Sequence, residues 1–123
     1  MFRRTRMVIL LGVVASLIGA AADAHPELRV TDPTAGGATP SSPKEIRLSF
    51  SEGVIPKFSG IELKDQTGKV IATPAAATDP KDKTQLLVPL REPLPPGTYD
   101  IDWHAVGADT HRVHGHFSFR VER

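Results

Sequence analysis

The stretch EIRLSFS, residues 45–51, decides the fold class, because its apolar and polar side chains alternate at every position. A period of two residues places the apolar side chains on one face of a β-strand and the polar ones on the other. The same alternation recurs in YDIDWH, residues 99–104, and in HFSFRV, residues 116–121. No window shows the 3.6-residue apolar period of an amphipathic helix. The sequence therefore predicts half-buried strands and an all-β domain.

Four more short strands fill the rest of this region, at residues 27–31, 61–64, 69–72 and 84–89. The segments between them are rich in turn residues, such as DQTG and PLPPG, which favour hairpins and exclude a helix. Seven short strands in a single domain of ~100 residues indicate two stacked sheets. We expect a seven-stranded antiparallel Greek-key β-sandwich, similar to Ig domains or cupredoxin barrels.

Residues 1–24 have the pattern of a secretory signal peptide. Three arginines precede an apolar run over residues 7–22, which is short for a membrane span of ~20 residues. The small residues at the end of this run favour cleavage after Ala24. We expect an exported protein whose first residue is His25, with one domain over residues 25–123 and no membrane span after cleavage.

The composition of the expected mature chain limits its chemistry. The signal segment holds three arginines and one aspartate of the chain's 15 basic and 14 acidic residues, so the remainder carries a net charge of −1. This balance argues against nucleic acid as a partner, because such a partner requires a basic surface. The chain has no cysteine, and both of its methionines precede the cleavage site. Any metal site therefore uses nitrogen and oxygen donors, which favours Cu(II), Ni(II) or Zn(II) over Cu(I).

A histidine at a free N-terminus is a strong metal ligand. Its α-amine and its imidazole can close on one ion as a six-membered chelate ring, which a histidine within a chain cannot do. Asp109 and His111 lie on the predicted loop between two long strands and can add a carboxylate and a second imidazole. Together with His25 they supply three nitrogens and one oxygen, a set that suits tetragonal Cu(II).

Several polar residues of the chain also have an interpretation that does not involve a specific metal site. Asp109 taken alone is typical of a turn-forming aspartate. His104 continues the outward face of its strand, which predicts a solvated surface histidine rather than a ligand. His114 and His116 share the outward face of the last strand, where such a pair can bind a surface metal weakly.

Three segments of the chain resemble the CopC family of periplasmic copper-binding proteins. They are RLSFSE at residues 47–52, LPPGTYDIDW at residues 94–103, and DTHRVHGHFSFRV at residues 109–121. The resemblance extends along nearly all of residues 25–123. It implies a β-sandwich in the bacterial periplasm.

The resemblance also implies a ligand set, with His25, Asp109 and His111 holding one Cu(II) ion per chain. Glu52 matches a family glutamate that lies near the metal, and we expect it to make a weak or outer contact. Thr110 stands where the family usually has glycine, so the loop conformation is expected to shift slightly. Some relatives carry a methionine-rich Cu(I) site, but this chain has no methionine available for one.

The resemblance implies a non-enzymatic carrier or buffer of Cu(II) in copper homeostasis and copper resistance. Some relatives are fused to a membrane copper-transport domain, so an inner-membrane copper transporter is a candidate partner. Four protein donors leave no open position for a substrate, whereas catalytic metal sites keep one. Two alternatives remain open: a copper-dependent oxidative enzyme with a site like a histidine brace, and an Ig-like structural module.

Overall fold

The computed structural model of the protein describes residues 25–123, and the signal-peptide prediction for residues 1–24 lies outside them. The described region contains nine strands and one short 3-10 helix, Pro56–Phe58. The strands are β1 (Leu28–Asp32), β2 (Ala38–Thr39), β3 (Glu45–Phe50), β4 (Gly60–Lys64), β5 (Val70–Ile71), β6 (Ala77–Asp79), β7 (Asp82–Pro89), β8 (Gly97–Val106) and β9 (Arg112–Val121).

The strands form two sheets, and the predicted β-sandwich is confirmed. One sheet has the order β1-β3-β7-β6, and the other has the order β2-β9-β8-β4-β5. Every pairing between neighbours is antiparallel except that of β2 with β9, which is parallel. The observed count of nine strands exceeds the predicted seven by the two short strands β2 and β6.

Both additional strands lie at the edges of the sheets. They were not predicted from the sequence because they are so short. β2 has two residues and β6 has three, which is too few to show a period of two. β2 also lies inside a loop rich in proline and glycine, where turns are the ordinary expectation. Short strands at sheet edges are a common way to limit pairing with other chains.

The core lies between the sheets and is built from the alternating strands. In β3 the apolar side chains Ile46, Leu48 and Phe50 are buried, as their alternation predicts. They meet buried side chains of the other sheet, including Ile101 and Phe119. Burying each such side chain contributes roughly 1.5–3 kcal/mol. The core therefore fixes the two sheets against each other and sets the positions of the loops at their ends.

β8 and β9 form the longest hairpin, with ten residues in each strand. Trp103 on β8 lies opposite Gly115 on β9. A Cβ atom added at Gly115 would lie 2.6–2.8 Å from three atoms of the Trp103 ring. The indole thus occupies the space that a side chain at Gly115 would need, and its other side contacts the ring of Phe50 at 5.5 Å between centroids.

We expect Gly115→Ala to destabilise the fold by about 1–3 kcal/mol, because the added methyl group must displace the indole of Trp103. Urea denaturation followed by the fluorescence of Trp103, the chain's one tryptophan, measures the loss. Gly53→Ala is the matched control, since its new Cβ would lie 3.5 Å from the Cβ of Lys83, an ordinary contact. Equal urea midpoints for both variants would contradict the role of Gly115.

Candidate metal centre

Three of the predicted ligands converge at one end of the sandwich. His25 Nδ1 lies 3.2 Å from Asp109 Oδ2, and His111 Nδ1 lies 3.1 Å from the same oxygen. The two imidazole rings are 5.0 Å apart between centroids. One donor atom from each residue lies within 4.8 Å of the others, and residues 25–123 contain no other group of three donors so close together. We call His25, Asp109 and His111 the candidate metal centre.

His25 is held in place by the segment that follows it. The backbone N–H of Glu27 donates to the Ser51 hydroxyl, and the backbone N–H of Ser51 donates to the Glu27 carbonyl, both at 2.8 Å. These two bonds continue the pairing of β1 with β3 to the end of the sheet. Pro26 is buried between His25 and this contact. The four-stranded sheet, through its β1–β3 pairing, therefore positions His25 beside Asp109 and His111.

The other two residues come from the tight loop between β8 and β9. The N–H of Thr110 donates to the Gly107 carbonyl at 3.0 Å, and the N–H of His111 donates to Asp109 Oδ1 at 3.1 Å. Thr110 has φ of 65°, the left-handed conformation that residues other than glycine rarely adopt. Glycine adopts this conformation without a steric penalty, so Thr110 takes it up at a cost that glycine would not have. It turns Asp109 and His111 toward the same point.

The loop is also tied to the segment that leaves β3. Gly107 forms an isolated bridge with Val54, and the N–H of Ile55 donates to the Val106 carbonyl at 2.8 Å. The buried hydroxyl of Ser59 accepts from the N–H of Val106 at 3.0 Å. The loop from the five-stranded sheet is thus fixed beside the residues that hold His25.

The electrostatics of the centre favour a bound cation. Burial alone raises the pKa of Asp109, but the N–H and ring of His111 and the charge of His25 outweigh it and hold that pKa below its usual range. One oxygen of this ionised carboxylate faces both imidazoles. His25 Nδ1 is buried without a hydrogen bond, although it lies 3.2 Å from Asp109 Oδ2. A buried ring nitrogen that has no hydrogen bond and lies beside a carboxylate is suited to a metal ion.

Other residues singled out by the sequence lie around this centre. Glu52 directly follows Ser51, yet its carboxylate is not among the three clustered donors, and its outer contact with the metal stays a prediction. Trp103 is only partly buried, at the margin of the apolar cluster, where its ring contacts that of Phe50.

The remaining three histidines lie on the outer face of the five-stranded sheet. His114 and His116 are exposed, as expected. His104 is half-buried rather than fully solvated, and this burial, with a smaller effect from Arg112, lowers its pKa. The sequence did not reveal the burial because it depends on Gly60, which lies opposite on the neighbouring strand and leaves room for the ring.

Fold and site together define a β-sandwich protein with a candidate metal centre made from one end of each sheet. The model of the CopC domain family matches residues 28–122, which include Asp109 and His111 and begin three positions after His25. The chain belongs to the CopC family, and the resemblance drawn from its sequence is confirmed.

Relatives with similar sequences and structures support this assignment. Copper resistance protein C of Escherichia coli is 40% identical over 124 residues, covering 93% of this chain and 94% of that protein. Protein YobA of Escherichia coli (strain K12) is 38% identical over 110 residues, covering 89% of each chain.

Two crystal structures share the fold. CopC from Methylosinus trichosporium OB3b has a TM-score of 0.74 and 30% identity, covering 80% of this chain and 94% of that one. PcoC, a methionine-rich copper resistance protein from Escherichia coli, has a TM-score of 0.71 and 38% identity. The match covers 80% of this chain and 99% of that one. Across residues 25–123 we find no helix with the length and hydropathy to cross a membrane.

Proposed function

We propose that this protein binds Cu(II) as a carrier or buffer in copper homeostasis and resistance. The observation that carries the proposal is the convergence of His25, Asp109 and His111, with the unbonded Nδ1 of His25 facing the carboxylate. In an N-terminal histidine, Nδ1 is the ring nitrogen that closes a six-membered chelate with the α-amine. The copper resistance proteins among its relatives support copper as the ion.

The proposal includes export. Residues 1–24 act as a signal peptide that is removed after Ala24, so that His25 begins a single copper-binding domain over residues 25–123 in the periplasm. Only this cleavage gives His25 its free amine. Pro26 has no backbone N–H, so Cu(II) cannot bind the next backbone nitrogen and depends on the distant side chains. This dependence requires the folded domain.

The donor set supports one Cu(II) at this centre rather than Cu(I). Both methionines of the chain precede His25, in contrast to the methionine-rich relative from Escherichia coli. Two imidazoles, an amine and a carboxylate are borderline to hard donors, which suit Cu(II). Glu52, on the segment after β3, is a further candidate for a weak contact to the ion.

A binding role is favoured over catalysis for the same reason. Four protein donors in one plane fill the positions that Cu(II) binds most strongly, whereas a catalytic site keeps one open. The oxidative enzyme is therefore the less favoured function, and membership of the CopC family does not favour the Ig-like structural module. An inner-membrane copper transporter remains the candidate partner.

We expect the exported protein to bind its first equivalent of Cu(II) tightly, with a nitrogen-rich tetragonal electron paramagnetic resonance spectrum. Intact mass must first establish that His25 is the terminal residue. The pKa of Asp109 lies below its usual range, so the carboxylate stays ionised while imidazole and amine nitrogens take up protons. Affinity should therefore fall between about pH 7 and about pH 5 through loss of nitrogen ligands.

Two results would contradict this proposal. A spectrum with oxygen donors alone would remove His25 and His111 from the ligand set. An affinity that stays constant down to about pH 5 would mean that nitrogens are not the main ligands. Hydrogen peroxide production by the copper-loaded protein with a reductant would instead favour the oxidative enzyme.

A further inference from the structure

Every histidine outside the candidate metal centre lies on one small patch of the sandwich. The chain has five histidines, and the three others are His104 on β8 and His114 and His116 on β9. His104 lies directly opposite His114, and Asp102 lies directly opposite His116. These four residues form a two-by-two array of metal donors on the outer surface of the five-stranded sheet. We call this array the histidine face.

We propose that the histidine face holds a second site for a divalent transition-metal ion, with His104 and His114 as its principal ligands and His116 as a third. The site goes beyond the proposed function, because it faces away from the core and shares no residue with the candidate metal centre. It adds a second, weaker ion to the one expected per chain.

The pairing of the strands brings these side chains within reach of one ion. Directly opposite residues on antiparallel strands have Cβ atoms about 4.5–5.5 Å apart. An ion bound at about 2.0–2.1 Å from each imidazole nitrogen fits between two such rings. His114 and His116 are exposed, so rotation of their side chains meets little resistance.

Two of the three rings make other contacts before metal binds. His116 Nε2 lies 3.4 Å from Asp100 Oδ1. The ring of His104 lies over Gly60, with Cε1 3.4 Å from the position a Cβ would take there. Both contacts are weak, because the first is solvent-exposed and the second is with a residue that has no side chain. A metal ion would draw the rings together by rotation of the side chains alone.

The charges around the histidine face support this site. Lys64 Nζ pairs with Glu62 at 3.1 Å and with Asp102 at 3.3 Å, so it offsets the charge of these two carboxylates. The carboxylate of Asp100, which lies 3.4 Å from His116, supplies the negative charge beside the rings. A shallow depression lined by Glu62, Asp102, His104, Arg112 and His114 gives an ion access to these donors.

The ligand class follows from the donors. Imidazole suits Cu(II), Ni(II) and Zn(II), and water completes the shell at an exposed position. Because water occupies the remaining positions and the side chains must rearrange, this site is weaker than the candidate metal centre. It is expected to fill only after the first equivalent of Cu(II) has bound.

The test is a Cu(II) titration of the chain that begins at His25, followed by nuclear magnetic resonance. The second equivalent should broaden the backbone amide signals of residues 102–104 and 114–116, while signals of Ile46 and Val88, at the far end of the opposite sheet, stay sharp. His104→Ala and His114→Ala should each weaken the second step by about tenfold or more, since even groups that only support a ligand are worth 10–100-fold. Thr98→Ala, an exposed position near the other end of β8, is the control and should change neither step.

Asp109→Ala/His111→Ala provides an independent measurement, because it removes the first site without touching the histidine face. In this variant the broadening at residues 102–104 and 114–116 should remain. Broadening confined to the residues around His25, or a second step that is unchanged in His104→Ala/His114→Ala, would overturn the proposal. Either result would leave the proposal of a first Cu(II) ion at the candidate metal centre standing, so the two sites are tested separately.

Discussion

One extra residue before His25 should weaken binding of the first Cu(II) ion by at least about 100-fold. The added peptide bond converts the α-amine to an amide and destroys the chelate ring with Nδ1, although the imidazole stays 3.2 Å from Asp109. Loss of a direct ligand should exceed the 10–100-fold that is typical for groups that only support one. Competition titrations against a chelator of known affinity measure the change.

The control for this variant is the same residue added after Arg123. Its affinity for Cu(II) should match that of the chain that begins at His25. Thermal unfolding without copper should be similar for both forms, because the contact between Glu27 and Ser51 that holds the segment is unchanged. If the extended form binds Cu(II) as tightly as the unextended one, the amine is not a ligand.

His111→Ala should weaken binding of the first Cu(II) ion by at least about 100-fold. It should also remove the signature of one coordinated nitrogen from the electron paramagnetic resonance spectrum. The imidazole of His111 is 70% exposed, so its loss should change the free energy of unfolding by no more than about 0.5 kcal/mol. A large loss of affinity with little loss of stability is expected of a ligand and not of a structural residue.

His114→Ala is the matched control for His111→Ala. Both are exposed histidines, and they lie three positions apart in the sequence. Only His111 contacts Asp109, so His114→Ala should leave the first equivalent unchanged. A loss of affinity in His114→Ala with none in His111→Ala would mean that the first ion binds on the histidine face instead.

The sequence predicted the long strands because each carries enough residues to show its period. The ten residues of β8 and of β9 are an example. It did not predict the parallel pairing of β2 with β9, because a two-residue strand acquires its partner only from the packed fold. Two hydrogen bonds beyond the strand ladder, from the N–H of Arg120 to Gly37 and of Glu122 to Thr39, show how loop contacts extend this pairing.

The candidate site, like the strands, was only partly predictable from local sequence. Asp109 and His111 are two positions apart, so the sequence alone suggested that they act together. His25 is distant along the chain, and its place beside them depends on how the ends of two different sheets meet. No local pattern contains that information, so donor chemistry suggested the set of three and the family resemblance implied that they share one ion. The half-burial of His104 was likewise hidden, because it depends on Gly60 across the strand.

The direction of β9 has a practical consequence for handling this protein. β9 starts beside the loop that holds Asp109 and runs ten residues away from it to Val121, a distance of about 30 Å. An anchor or fluorescent label attached after Arg123 would therefore sit far from His25. A surface-immobilised form made in this way would present the candidate metal centre to the solution, which suits the protein to tests as a copper-sensing electrode or bead.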